Sequence, residues 1–313
     1  MKFKKPKFWD YKKPGINTYL LLPISILLTI FRIILKSIIK KRKYVSIKTI
    51  CVGNIYLGGT GKTSLSLKIH EIFRDKVKSC FIKKYYSSQI DEQKILANSG
   101  KLFKSKNRSS SVNQAIEEGY ELAIFDDGLQ DPYINYDYNI VCFNTDNWIG
   151  NGYTIPSGPL RENIKNIKNY KNVFLNGNNK NTDIIKKYIH NIDHNINIYQ
   201  GKYIPLNIKE FDKNDKYLVF SGIGNHKTFI SMLKDNKINI IKEMEFPDHY
   251  NYSSKEINEI ISISKKLNCK IVTTEKDYMR LNDNKEIFYI KSELRIMNQE
   301  TFINDILKVY EKN

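Results

Sequence analysis

Only four cysteines occur in 313 residues, at positions 51, 80, 142 and 269. No two form a Cys-x-x-Cys pair, and three lie in apolar, strand-like runs. A disulfide scaffold and a thiolate zinc site are therefore both excluded, and the expectation is buried free thiols in a reducing compartment. The five histidines show no metal-ligand spacing. There is no internal repeat, no coiled-coil pattern and no long low-complexity tract, which removes solenoid and fibrous architectures. Acidic residues are nearly absent from one end. Residues 1–43 contain Asp10 against twelve Lys and Arg, so +11 of the formal net charge of +18 sits there. Such an arm suits a polyanionic surface better than a uniformly basic nucleic-acid groove.

Uncharged runs are also short. Ile16–Phe31 has sixteen residues, a helix of about 24 Å against a hydrocarbon core of about 30 Å. No small-residue cleavage site follows it, and residues 32–43 are basic, which argues against a removed signal peptide. Ser25, Thr29, Arg32, Lys36 and Lys40 recur at helical spacing, and Ile24, Leu27, Leu28, Phe31, Leu35 and Ile38 face the other way. That pattern predicts an amphipathic helix lying in a membrane interface with its lysines toward anionic lipid. A single membrane span and a buried core helix are the alternatives.

What the chain does have is a glycine-rich loop after a β-branched run. Thr49–Val52 reads as a buried strand. Tyr56-Leu57-Gly58-Gly59-Thr60-Gly61-Lys62-Thr63 follows and opens a helix through Phe73. Glycines let the backbone close on a ligand, and the N–H groups at the helix start make an anion site. Lys62 is placed for the outer phosphates of a nucleoside triphosphate and the Thr63 hydroxyl for Mg²⁺. Tyr56 stands where the general P-loop pattern has its first glycine. An ATP site of this kind requires the cytosol.

Further short apolar runs at Cys80–Lys83, Leu122–Phe125, Ile140–Phe143 and Val173–Leu175 alternate with helical segments. They predict an α/β fold, P-loop NTPase-like, with a parallel sheet and helices on both faces. A helix is expected to begin at Gln93 after a polar turn over 87–92, and a polar loop over 176–182. A second, smaller α/β unit is expected from about residue 200, with a strand at 217–220, helices at 227–233 and 254–267, strands at 238–241, 270–273 and 287–290, and a closing helix from Gln299. The boundaries predicted are 1–45 for the basic arm and membrane helix, 46–200 for the P-loop domain, and 201–313 for a domain that closes over the site.

Ligands of parallel sheets sit at the carboxyl ends of strands. Asp126 and Asp127 end one such strand, the place of an acidic Mg²⁺ ligand in phosphoryl transfer. Other candidates are Glu162 after Pro159-Leu160-Arg161, His249 in a turn beside aromatics, and the acidic pair Asp91-Glu92 at a helix start. A histidine can relay a proton near neutral pH. Glu275-Lys276-Asp277 reads as a helix-capping turn or part of a site wall.

Six stretches occur together and in one order: VGNIYLGGTGKT (52–63), FDDGLQD (125–131), GNGYTIPSGPLRE (150–162), SGIGN (221–225), FPDHYNYS (246–253) and TTEKDYMRL (273–281). In this the chain resembles the tetraacyldisaccharide 4′-kinases of lipid A synthesis over nearly its whole length. The resemblance implies ATP and Mg²⁺ as cofactors. It implies an acylated diglucosamine 1-phosphate as acceptor at the cytoplasmic face of the bacterial inner membrane. Asp91 would be the base on the sugar 4′-hydroxyl, with His249 its partner and Asp126 the next candidate. Thr63, Asp127 and Glu162 would hold the metal. Two departures stand out. Lys83-Lys84-Tyr85-Tyr86 replaces the usual Ser-Arg-Gly-Tyr, and Asp131 replaces a histidine. Two other readings remain compatible with the residues: a P-loop ATPase or kinase with another acceptor, and a basic nucleic-acid-binding module. The placing of the charge in an amphipathic helix, not a groove, weighs against the last, and no nucleic acid is expected as partner.

Overall fold

Strong β-formers ending in glycine give the central strand, and one strand pairs with it in parallel on either side. The computed structural model describes residues 5–38, 44–86, 89–177, 182–248, 250–281 and 284–311. In chain order the first elements are α1 (Ile16–Ile38), β1 (Lys48–Gly53), α2 (Lys62–Phe73), β2 (Ser79–Lys84), α3 (Ile90–Ser99), β3 (Leu102–Ser105), α4 (Arg108–Glu117), β4 (Leu122–Asp126) and β5 (Tyr138–Asn144). Then come β6 (Asn172–Asn176), α5 (Thr182–Ile192), β7 (Asn197–Pro205), β8 (Lys216–Ser221), α6 (His226–Asp235) and β9 (Asn239–Glu245). The chain ends with α7 (Ser254–Leu267), β10 (Lys270–Thr274), α8 (Glu275–Tyr278), β11 (Ile287–Ile290), β12 (Ser292–Met297) and α9 (Gln299–Glu311).

One sheet runs β12-β7-β6-β5-β1-β4-β2-β3 and the other β11-β10-β8-β9. The β1/β4, β1/β5, β2/β4 and β2/β3 pairs are parallel. Every residue of β4 is buried, and so are five of the six in β1. This is the burial of strands covered on both faces. Val52 is in register with Asp126, so the P-loop and the Asp126-Asp127 pair leave the sheet side by side.

By contacts the chain divides into residues 1–201 with 296–313, and residues 202–295. The closing helix α9 was expected in the second domain and belongs to the first unit. Its Phe302 meets Phe174 and Tyr199 edge-on, and Tyr199 donates to Asp305 at 2.8 Å. The N-terminal arm is part of the same unit. Val173–Leu175 is not the last strand there, since β7 and β12 extend the sheet beyond it.

α1 extends beyond the uncharged run, as the helical spacing through Lys36 leads one to expect, but differs from expectation in orientation. It continues past Arg32 to Ile38, and Ile16–Leu35 is long and apolar enough to cross a membrane by length and composition. Ser25 and Arg32 of its polar stripe reach the protein, while Lys40 and the Lys36 side chain lie outside what the structure describes. Ser25 is buried, donates to the Thr154 carbonyl at 2.9 Å and accepts from the Ser157 amide. Thr18 accepts from Asn151, and Arg32 donates to the Arg161 carbonyl. The 150–161 loop has carbonyls and amides to satisfy, and the stripe satisfies them. The apolar face, including Leu20, Leu27 and Phe31, is exposed.

The smaller unit draws three of its motifs together on one buried carboxylate. Asp277 Oδ1 accepts from the Gly222 amide, from Tyr252 and from Arg280, all at 3.0–3.1 Å. Its Oδ2 accepts from Thr274, the N-cap of α8. The 275–277 segment is thus the capping turn, with Asp277 tying the ends of β8 and β10 to the turn before α7. Phe246, Tyr250 and Tyr252 pack ring against ring beside it.

Candidate active site

α2 begins at Lys62 because Gly61, at φ 82°, turns the loop through the left-handed region that glycine tolerates best. No side chain caps that helix start, so its amides are available to an anion. Within the loop, Asn54 donates to the Gly58 carbonyl and to Thr60 Oγ1 at 3.3 and 3.1 Å. Tyr56 is buried and its hydroxyl is held by Asp10 at 2.9 Å and Lys5 at 3.0 Å. The residue that departs from the general pattern therefore anchors the loop to the N-terminal arm. Leu57 donates to the Pro159 carbonyl, and Arg161 donates from its backbone to the Ile55 carbonyl. The P-loop and the 150–162 loop are one hydrogen-bonded assembly.

Asp126 is completely buried. Its Oδ2 accepts from Thr63 Oγ1 at 3.0 Å and from Lys83 Nζ at 2.6 Å, while its Oδ1 has no hydrogen-bond partner. Asp127, at φ 67°, meets the Arg161 guanidinium through two bonds of 2.8 and 3.1 Å and lies 3.8 Å from Lys62 Nζ. Burial alone would raise its pKa; the Lys62 and Arg161 charges overcome that and hold the carboxyl well below the usual range. Glu162 accepts from Tyr170 and Gln130 on one oxygen and from Asn166 on the other. Gln130 also reaches the Asn54 carbonyl and accepts from Arg161. Thr63 and Asp126 thus fall in one bonded set and Lys62, Asp127 and Glu162, through Arg161 and Gln130, in a second, the two meeting through the chain at 62–63 and 126–127.

Asp91 sits partly buried in the first turn of α3. That helix starts three residues before the expected Gln93, because carboxylates in a first turn are favoured by the helix dipole. The neighbouring Glu92 accepts from Lys83 at 2.7 Å. His249 lies outside the described residues. Sequence reasoning missed Arg161, Arg108 and the inward course of Lys83. Arg108 pairs with Asp131 at 3.2 Å and donates to the Asp127 carbonyl, so the residue in place of the family histidine has its own cation. The signal available was charge balance: a buried aspartate pair needs cations.

The donor set suits a hard cation. Thr63 Oγ1, the unpartnered Asp126 Oδ1, Asp127 and Glu162 are all oxygen donors. Among the described residues no group of three or more His, Cys, Asp or Glu could cage a metal by itself. Mg²⁺ takes one or two carboxylates and leaves the other positions to phosphates and water, so it would need only part of this set.

A sequence model of the family described as tetraacyldisaccharide-1-P 4′-kinase matches residues 17–102 and 91–311. The tetraacyldisaccharide 4′-kinase of Pelagibacter ubique is 59% identical over 318 residues, covering 100% of both chains. The chain belongs to the tetraacyldisaccharide 4′-kinase family. The member from Rickettsia akari is 33% identical over 329 residues, covering 98% of each chain. Among solved structures, LpxK from Aquifex aeolicus, an "apo" form in complex with ATP, has a TM-score of 0.67 at 23% identity and covers 93% of this chain and 99% of its own. That likeness extends the family fold to this chain.

Proposed function

We propose that this chain is an ATP-dependent kinase that moves a γ-phosphoryl group to the 4′-hydroxyl of a tetraacyl diglucosamine 1-phosphate, in lipid A synthesis. The observation that carries the reading is the meeting of Lys62, Thr63, Asp126, Asp127 and Arg161 where β1 and β4 end, in a chain of this family. Mg²⁺, when bound, would neutralise charge on the phosphates. Thr63, Asp127 and Glu162 are its proposed ligands, joined by the bare oxygen of Asp126. Arg161 and Lys62 keep Asp127 ionised and so ready for a metal. Asp126, fully buried, orients Thr63 and Lys83; it has no surface from which to reach a sugar. Asp91, partly exposed in the first turn of α3, is the proposed base, with His249 its proposed partner. Transfer of label from γ-labelled ATP to the disaccharide 1-phosphate tests the function. No transfer by folded, lipid-supplied protein refutes it.

Asp127→Ala is expected to raise the Mg²⁺ concentration needed for half-maximal turnover by about tenfold or more, while lipid binding without ATP stays as it was. An unchanged Mg²⁺ dependence would remove Asp127 from the metal's ligands.

The proposed location is the cytoplasmic face of the inner membrane, and the exposed apolar face of α1 supports membrane attachment. Replacing Leu20, Leu27 and Phe31 by Glu should shift the protein from the membrane pellet to the soluble fraction, with little change in melting temperature, because all three side chains point away from the protein. Sedimentation after a high-salt wash reads the outcome. Persistence in the pellet would place attachment elsewhere.

A further inference from the structure

Lysine is among the residues least often buried, and when it is buried it needs partners. Lys83 has a side-chain exposure of 2%. It lies near the end of β2, between β3 and β4. Two carboxylates justify its burial: Asp126, at 2.6 Å, on the adjacent strand, and Glu92, at 2.7 Å, in the first turn of α3. Asp126 in turn accepts from Thr63 at the start of α2. A continuous line of charge-assisted bonds therefore runs Thr63–Asp126–Lys83–Glu92. It joins four elements: the P-loop helix, β4, β2 and α3.

We propose that Lys83 is a positioning residue that clamps the first turn of α3, and with it Asp91, to the Asp126–Thr63 pair of the phosphate site. This rests on the kinase reading above for its consequence in turnover, though the clamp itself is a property of the fold. Asp91 directly precedes Glu92 in the same turn, so fixing Glu92 fixes the backbone from which Asp91 projects. A base must be held within hydrogen-bond reach of its hydroxyl, and a displacement of about 1 Å is costly to rate. A neutral or shorter residue at position 83 could not span both carboxylates. The next residue, Lys84, does not share the role: it is only partly buried, with its ammonium 5.7 Å from the Tyr86 ring centre. The two lysines that replace the family's Ser-Arg are thus different in kind, one turned inward as a tie and one outward.

Glu92→Gln removes the charge from the α3 side of the clamp, weakening it, and leaves Asp126, Thr63 and Lys83 together. Its kcat on the disaccharide should fall about tenfold, with KM for ATP and the Mg²⁺ requirement within about twofold of wild type. Lys83→Met cuts both sides and should lower kcat further. The double variant should be no worse than Lys83→Met alone, because the two substitutions remove one device. Hydrogen exchange provides an arm that needs no substrate: amides in peptides covering 89–99 should exchange about tenfold faster in Glu92→Gln than in wild type, with α2 unchanged. Wild-type exchange over 89–99 in Glu92→Gln, or multiplicative losses in the double variant, overturns the clamp. A wild-type enzyme inactive on the disaccharide overturns the kinase reading, and the exchange measurement then still decides on the clamp.

Discussion

Lys62→Ala should lower phosphoryl transfer by about 10²–10³-fold or more while the protein stays folded. The ammonium is the charge nearest the phosphate-binding loop, and it would act on the outer phosphates, where negative charge redistributes in the transition state. Removing it takes away stabilisation, and the other cations there, Arg161 and Lys83, are already paired with Asp127 and with Asp126 and Glu92. The fold should tolerate the change. Asp127 loses Lys62 at 3.8 Å but keeps the shorter two-bond pairing with Arg161. A buried carboxylate abandoned by its last cation would cost several kcal/mol; one that keeps its closest cation costs far less. Turnover with labelled ATP, paired with a thermal melt, checks both halves. Near wild-type turnover would mean that the loop is not the nucleotide site.

Asp91→Asn should lower kcat by about 10²-fold or more with little change in ATP affinity. A sugar hydroxyl must lose its proton as it attacks, and an amide of the same shape cannot accept one. Asp91 lies in the first turn of α3, whereas the proposed phosphate site is built by the glycine loop and Lys62, so the substitution should act on proton removal rather than on nucleotide binding. A normal rate in the variant would reject Asp91 as the base. The fully buried Asp126 would not inherit the role without a rearrangement that exposes it.

The P-loop and the Asp126-Asp127 strand end were legible because both are local signals: a run of β-branched residues, then glycines or carboxylates. The boundaries of α7 and β11 match the expected 254–267 and 287–290, and the structure adds a capping box of Ser253 and Glu256 at the start of α7. β3 was missed because four residues carry too little pattern. α5 and β7 were missed because polar Asn-rich sequence hides a narrow apolar stripe, Ile185 and Ile189 among it. Arg161 and Arg108 were invisible as partners because a salt bridge between distant segments leaves no spacing to read. The stripe on α1 was found but its direction was not. Periodicity tells which residues share a face, never which face meets the protein.

That direction makes α1 an inverted case of the usual rule that a more greasy helix anchors better. Ser25→Leu would make the helix more apolar, but on the buried face turned to the protein, and should impair the enzyme. The leucine cannot supply the hydroxyl that Thr154 and Ser157 use, and the strand-to-loop wall that carries Arg161 and Glu162 would lose its backing. A mutational scan should therefore split the helix lengthwise, with free exchange among Leu, Ile and Phe at 20, 24, 27 and 31, and intolerance of any apolar side chain at 18 and 25.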